Sequence, residues 1–120
     1  MNDMNIDLKI SFDKNELVII GSEKTLTMLP SKIEQAEQFN DVVIVRVHPR
    51  GERFMNENIF AVSYSGKIVW QIKAVKHVAE HSPYTSMIKK ENLLKVHNWD
   101  GSDLLIDPQS GQIINESYSK

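Results

Sequence analysis

The stretch Asn58-Ile59-Phe60-Ala61-Val62-Ser63-Tyr64-Ser65-Gly66-Lys67-Ile68-Val69-Trp70-Gln71-Ile72 decides how this chain is read. Two runs rich in β-branched and aromatic residues flank a two-residue Ser65-Gly66 turn, and glycine there supplies the positive φ that a tight hairpin needs. The segment predicts an antiparallel hairpin. Working upstream, Asp41 opens the run Val42-Val43-Ile44-Val45-Arg46-Val47, too dense in β-branched residues for a comfortable helix and therefore a predicted central strand. His48-Pro49-Arg50-Gly51 ends it. Nearer the N-terminus, Ile6, Leu8, Ile10 and Phe12 alternate with polar residues, the period of a half-buried strand. The turn Asp13-Lys14-Asn15-Glu16 leads into Leu17-Val18-Ile19-Ile20, and Gly21-Ser22-Glu23-Lys24 leads into Thr25-Leu26-Thr27-Met28-Leu29, a meander. Between Ser31 and Phe39 the pattern is polar, with Ile33 and Ala36 three apart, which suggests one or two helical turns. Downstream, residues 74 to 92 read as a loop with a short strand around Tyr84 to Ile88. Strands follow at Leu93 to His97, Asp103 to Asp107 and Gln112 to Tyr118, separated by the turns Trp99 to Ser102 and Pro108 to Gly111.

Ser65-Gly66-Lys67-Ile68-Val69 and Ser110-Gly111-Gln112-Ile113-Ile114 are the same phrase 45 residues apart, and Asn15-Glu16-Leu17-Val18 is a weaker echo. Such a spacing matches one four-stranded propeller blade. Two or so blades fall short of the roughly four to eight that close a ring. The expected architecture is therefore one all-β domain over residues 1–120, built of antiparallel meanders in an open half-propeller of about eight strands. A small β-sandwich or barrel is the competing architecture, since Ser-Gly hairpins recur in any β protein.

The chain has 120 residues, 41% hydrophobic and 25% charged, enough for one real core and unlike a disordered or repetitive chain. Without cysteine there is no disulfide, no thiolate metal site and no cysteine nucleophile, and a reducing compartment is expected. No apolar run approaches the roughly 20 residues of a membrane helix, and Met1 to Asp7 lack the basic and apolar regions of a signal peptide. A cytoplasmic location and no membrane partner are the expectations. Net charge is -2, too weakly acidic to suit a nucleic-acid binder, which is normally basic over one face.

His77-Val78-Ala79-Glu80-His81 matches the H-x-x-E-H string of inverted zinc peptidases, in which two histidines one helical turn apart bind zinc and the glutamate acts as base. That chemistry needs a sustained helix, and Ser82-Pro83 cuts this one short, so a loop or single turn with solvent-facing histidines is expected. His48 and His97 sit at strand ends, where backbone partners commonly satisfy them. Asp100, Asp103 and Asp107 lack the closing glutamate of a calcium loop and read as turn formers. No G-x-S-x-G elbow and no glycine-rich phosphate loop is present. Neither a catalytic residue, a metal nor a cofactor is expected. Trp70, in mid-strand, reads as packing; Trp99, at a turn, and Tyr84, after Pro83, are the aromatic types that anchor interfaces, with structural packing the competing explanation for each.

The phrases Asn58 to Val62, Ser65 to Ile72, Trp99-Asp100-Gly101 and Asp107 to Ile113 resemble quinoprotein-type propeller repeats. They are also similar to half-propeller immunity proteins of contact-dependent growth inhibition systems, which neutralise toxins resembling pancreatic-type ribonucleases. The resemblance spans mainly residues 42 to 118 and rests on strand-and-turn phrases. It implies a bacterial toxin inhibitor that binds and blocks the active site of a basic, nuclease-like protein; the sheet edges an incomplete propeller leaves open make either a monomer or an edge-paired dimer the expected state. These immunity proteins share no binding signature, so no functional residue is carried over. The expected contacts, taken as exposed loop residues, are Glu80, Tyr84, Trp99, Asp100 and Asp103. A non-catalytic ligand-binding or regulatory β module is the alternative.

Overall fold

The computed structural model describes residues 8–75 and 81–118. Within them the chain is all-β, with eleven antiparallel strands and no helix. The first sheet is the meander β1 (Lys9–Asp13), β2 (Glu16–Ile20) and β3 (Lys24–Met28). A second holds β4 (Ile33–Gln38), β5 (Val42–Val47), β6 (Ile59–Ser63) and β7 (Ile68–Gln71), and a third β8 (Tyr84–Lys90), β9 (Leu93–Asn98), β10 (Ser102–Ile106) and β11 (Ile113–Tyr118). In every sheet each strand pairs with its neighbour in sequence, and no sheet closes on itself, so the structure is not a barrel.

The strand β5 explains how the sheets stack. Its odd residues Val43, Val45 and Val47 are buried among Leu17, Ile19, Leu29 and Phe60, the core shared with the first sheet. Its even residues Val42 and Ile44 are buried among Tyr84, Met87, Leu94, Val96, Leu104 and Ile106, the core shared with the third. A strand covered on both faces must be apolar at nearly every position, which is what the valine run encodes. The three meanders therefore stack face to face with the second in the middle, and their opening strands β1, β4 and β8 come together. This is an open propeller segment of three sheets rather than two, and of eleven strands rather than about eight.

Polar side chains tie the stack. Asn58, fully buried, donates through Nδ2 to the carbonyls of Val47 and Tyr84, both at 2.9 Å, and its Oδ1 accepts from the Tyr84 N–H at 2.9 Å. At other points Thr27 Oγ1 donates to the Gly66 carbonyl at 2.8 Å, and Gln109 Nε2 to Asp41 Oδ2 at 3.0 Å. The expected helical turns at 31–39 are instead β4. A bulge between Ile33 and Gln35 shifts the register by one residue, which mimics three-residue spacing.

Both Ser-Gly phrases open the last strand of a four-stranded sheet. Gly66 (φ 92°) turns β6 into β7, and Gly111 (φ 77°) turns the chain into β11. The Asn15 echo sits in the first hairpin of the first sheet, which is not an equivalent place.

Candidate functional site

The hairpin between β9 and β10 is built around a buried asparagine. Asn98 Nδ2 donates to the Ser82 carbonyl at 3.0 Å, and its Oδ1 accepts from the Ser82 hydroxyl and from the Asp100 N–H. The Trp99 N–H donates to the Pro83 carbonyl at 2.9 Å, and Gly101, at φ 100°, donates to the Asn98 carbonyl at 2.9 Å. Asp100 Oδ1 accepts from Ser102 N at 2.8 Å and from Ser102 Oγ at 2.6 Å. With the N–H groups of residues 99 to 102 all committed, the turn is fixed and the Trp99 side chain is 64% exposed.

Of the expected contact residues, Trp99 is thus exposed at a turn, and Asp100 is half-buried with one carboxylate oxygen committed to that turn. Asp103 is not in a loop: it lies in β10, and its Oδ1 is 2.6 Å from His97 Nδ1. Tyr84 is not exposed. It opens β8 with only 1% of its surface accessible, because its ring fills the core between the second and third sheets and its hydroxyl donates to the Lys73 carbonyl at 2.6 Å. Burial pushes its phenol far up, and the carboxylates of Asp100, Glu116 and Glu57 push it further. Glu80 lies outside the described residues.

The model of a domain of unknown function, DUF7957, matches residues 7–118. The chain belongs to this family. No curated protein matches it. Among solved structures, the DUF7957 chain is similar to a crystal structure of the computationally designed Ika8 protein, with a TM-score of 0.54 and 11% identity. The match covers 90% of this chain and 35% of that one, and it speaks for the fold alone.

Other chemistry on the DUF7957 domain is sparse. Among the described residues no group of three or more His, Asp or Glu is placed to hold a metal, and no helix is long and apolar enough to cross a membrane. In the H-x-x-E-H string, His77 and Glu80 lie outside the described residues, and His81 is exposed with its ring 4.1 Å from that of Phe54. His48 Nδ1 accepts from the Arg50 N–H at 3.0 Å, a backbone partner as expected.

On the outward face of the third sheet, Ser86, His97 and Asp103 form one cross-strand row over β8, β9 and β10, in the order nucleophile, base and orienting acid. Sequence reasoning missed the row because only register brings the three together. No hydrogen bond joins Ser86 to His97 among the described residues, so the contact by which a base activates a hydroxyl is not made. A cleft of about 770 Å³ opens between the first two sheets, lined by Leu8, Ile19, Thr25, Gln38, Tyr64 and Lys89. Its Lys89 Nζ is already engaged, donating to the Gln38 carbonyl at 2.8 Å and lying 4.9 Å from the Phe39 ring centroid.

Proposed function

We propose that this protein is a non-catalytic inhibitor that binds another protein through the β9–β10 hairpin, with Trp99 as anchor and carboxylates around it. The observation that carries this reading is the large exposed aromatic on a hairpin whose backbone is already fixed. A preordered tryptophan loses little conformational freedom on binding, so most of its buried area contributes to affinity. The acidic Asp100 next to Trp99 supports a basic partner, since a cationic cleft shaped for phosphates meets carboxylates favourably. The resemblance to half-propeller immunity proteins supports a nuclease toxin as that partner. In this mechanism Trp99 enters the cleft, Asp100 and Asp103 lie over cationic groups that would hold RNA, and substrate is excluded without chemistry on either side.

Co-expression with a basic nuclease toxin domain encoded beside it tests the reading: cells survive and the two proteins co-purify one to one. Trp99→Ala should weaken the complex by about 30-fold or more, the loss typical of a central aromatic anchor. Full affinity in that variant would move the binding surface elsewhere. The 770 Å³ cleft favours a second reading, a small-molecule-binding module, because its size is within the range of ligand pockets. A metabolite that raises the melting temperature, and loses that effect in a Gln38→Ala variant, would support it.

A further inference from the structure

The register of the first sheet sorts its residues cleanly by face. Lys9 pairs with Ile20 and Ile20 with Lys24; Ser11 pairs with Val18 and Val18 with Leu26; Asp13 pairs with Glu16 and Glu16 with Met28. Directly paired residues share a face. One face therefore carries Ile10, Phe12, Leu17, Ile19, Thr25 and Thr27 toward the second sheet. The other carries the three rows just given, with Ile20 at 41%, Leu26 at 55% and Met28 at 59% exposure. The middle sheet is covered on both faces along β5 and β6, with Ile68 and Val69 of its edge strand β7 exposed, and the outward face of the third mixes Ser86, Lys95, His97 and Asp103 with the exposed apolar side chain of Ile88. The first sheet is the open end that sets three exposed apolar side chains, Ile20, Leu26 and Met28, on one face.

Within the paired rows the charges are ordered as well, with Lys9 and Lys24 at one end of the strands, Asp13 and Glu16 at the other and the apolar side chains between, while the turns beyond add Glu23 at the lysine end and Lys14 at the acidic end. We propose that this face docks a second copy of the chain, related by a two-fold axis running across the strands. Such an axis reverses strand direction and lays the acidic row of each copy on the lysine row of the other. Asp13 then meets Lys9 of the second copy, Glu16 lies between its Lys9 and Lys24, and the Val18–Leu26 rows stack at the centre. A two-fold axis along the strands would put acid on acid and lysine on lysine, which is unfavourable. Head-to-tail docking on the third sheet would press Leu26 and Met28 against Lys95, His97 and Asp103 and strip those charges of water.

The face is small. Three strands of five residues span roughly 14 Å by 17 Å, well below the ~800 Å² a side of a stable interface. The dimer is accordingly weak and set by concentration, and it is face-to-face, unlike the monomer or edge-paired dimer expected from sequence.

Sedimentation equilibrium on the whole chain, from roughly 10 µM to roughly 1 mM, tests this over the range in which so small an interface dissociates. A monomer–dimer equilibrium is expected, weakened at least about tenfold by Leu26→Glu with the fold retained by circular dichroism, because Leu26 is exposed. Asp13→Lys should weaken it, and Asp13→Lys with Lys9→Glu should restore it. A monomer at every concentration, assembly beyond a dimer, a dimer indifferent to Leu26→Glu, or a charge swap that restores nothing would each overturn the proposal. Trp99 lies on the β9–β10 turn, away from the first sheet, so toxin binding and dimerisation succeed or fail separately.

Discussion

At the scale of single residues, buried polar groups hold the stack, and their energetics differ from those of the apolar core. Asn58 satisfies one N–H and two carbonyls of the buried backbone, each of which loses that partner if the side chain is removed. At roughly 1–3 kcal/mol for each group left unsatisfied, Asn58→Ala should destabilise the domain by about 3 kcal/mol or more, read as a loss of midpoint in chemical denaturation. A loss under about 1 kcal/mol would mean that the backbone repairs itself there. Tyr84 gives a pH test. Its folded phenol is raised above the ordinary value near 10, so the folded state keeps a proton that the unfolded chain releases once pH passes about 10. The stability contribution of this group is therefore complete below that pH and is lost as pH rises above it. Tyr84→Phe gives up the bond to the Lys73 carbonyl, costing about 1 kcal/mol at neutral pH, but escapes the alkaline loss. Denaturation curves of the two proteins should converge between about pH 10 and about pH 12; a constant gap would show that the phenol is not what titrates.

At the scale of elements, one phrase does the same job twice with different neighbours. A Cβ on Gly66 would meet Thr27 Oγ1 at 3.3 Å, whereas a Cβ on Gly111 would meet the Trp70 ring at 2.6 Å. Both glycines have positive φ, so alanine strains either turn by about 1–2 kcal/mol. Only Gly111→Ala must also displace Trp70, whose Nε1 donates to the Pro108 carbonyl at 2.9 Å. Gly111→Ala should thus cost at least about 1 kcal/mol more than Gly66→Ala and shift the tryptophan fluorescence, which Gly66→Ala leaves in place. These turns and the β5 valine run were legible in the sequence because each is a local constraint. The facing of strands was not. Period two says that alternate residues share a face but not which face is inside, and β3 turns Thr27 inward and Leu26 and Met28 outward. Tyr84 was misread as exposed for a related reason. Its neighbours Pro83 and Ser82 read as loop, but register carries its ring into a core formed by residues distant in sequence.

At the scale of the whole molecule, the two cores share one sheet, and that sets an order of stability. Unfolding the second sheet opens both cores, whereas the first sheet, with three strands and one open face, detaches at the expense of only one. Local opening free energy follows the apolar surface that each opening exposes. Amide hydrogen exchange should therefore be slowest in β5 and β6, which meet the global limit, and faster in β2 and β3. The proposed dimer adds a second dependence, since docking covers the open face of β2 and β3 without touching β5. Raising the protein concentration should slow exchange in β2 and β3 by the dimer's mass action and leave β5 and β6 unchanged. Equal protection in all four strands at low concentration would mean that the first sheet opens only with the rest. A concentration effect in β5 and β6 but none in β2 and β3 would put any self-contact elsewhere. The stack then behaves as a graded structure, with a protected centre carrying the fold and two end sheets, each open on one face, that unfold at lower cost.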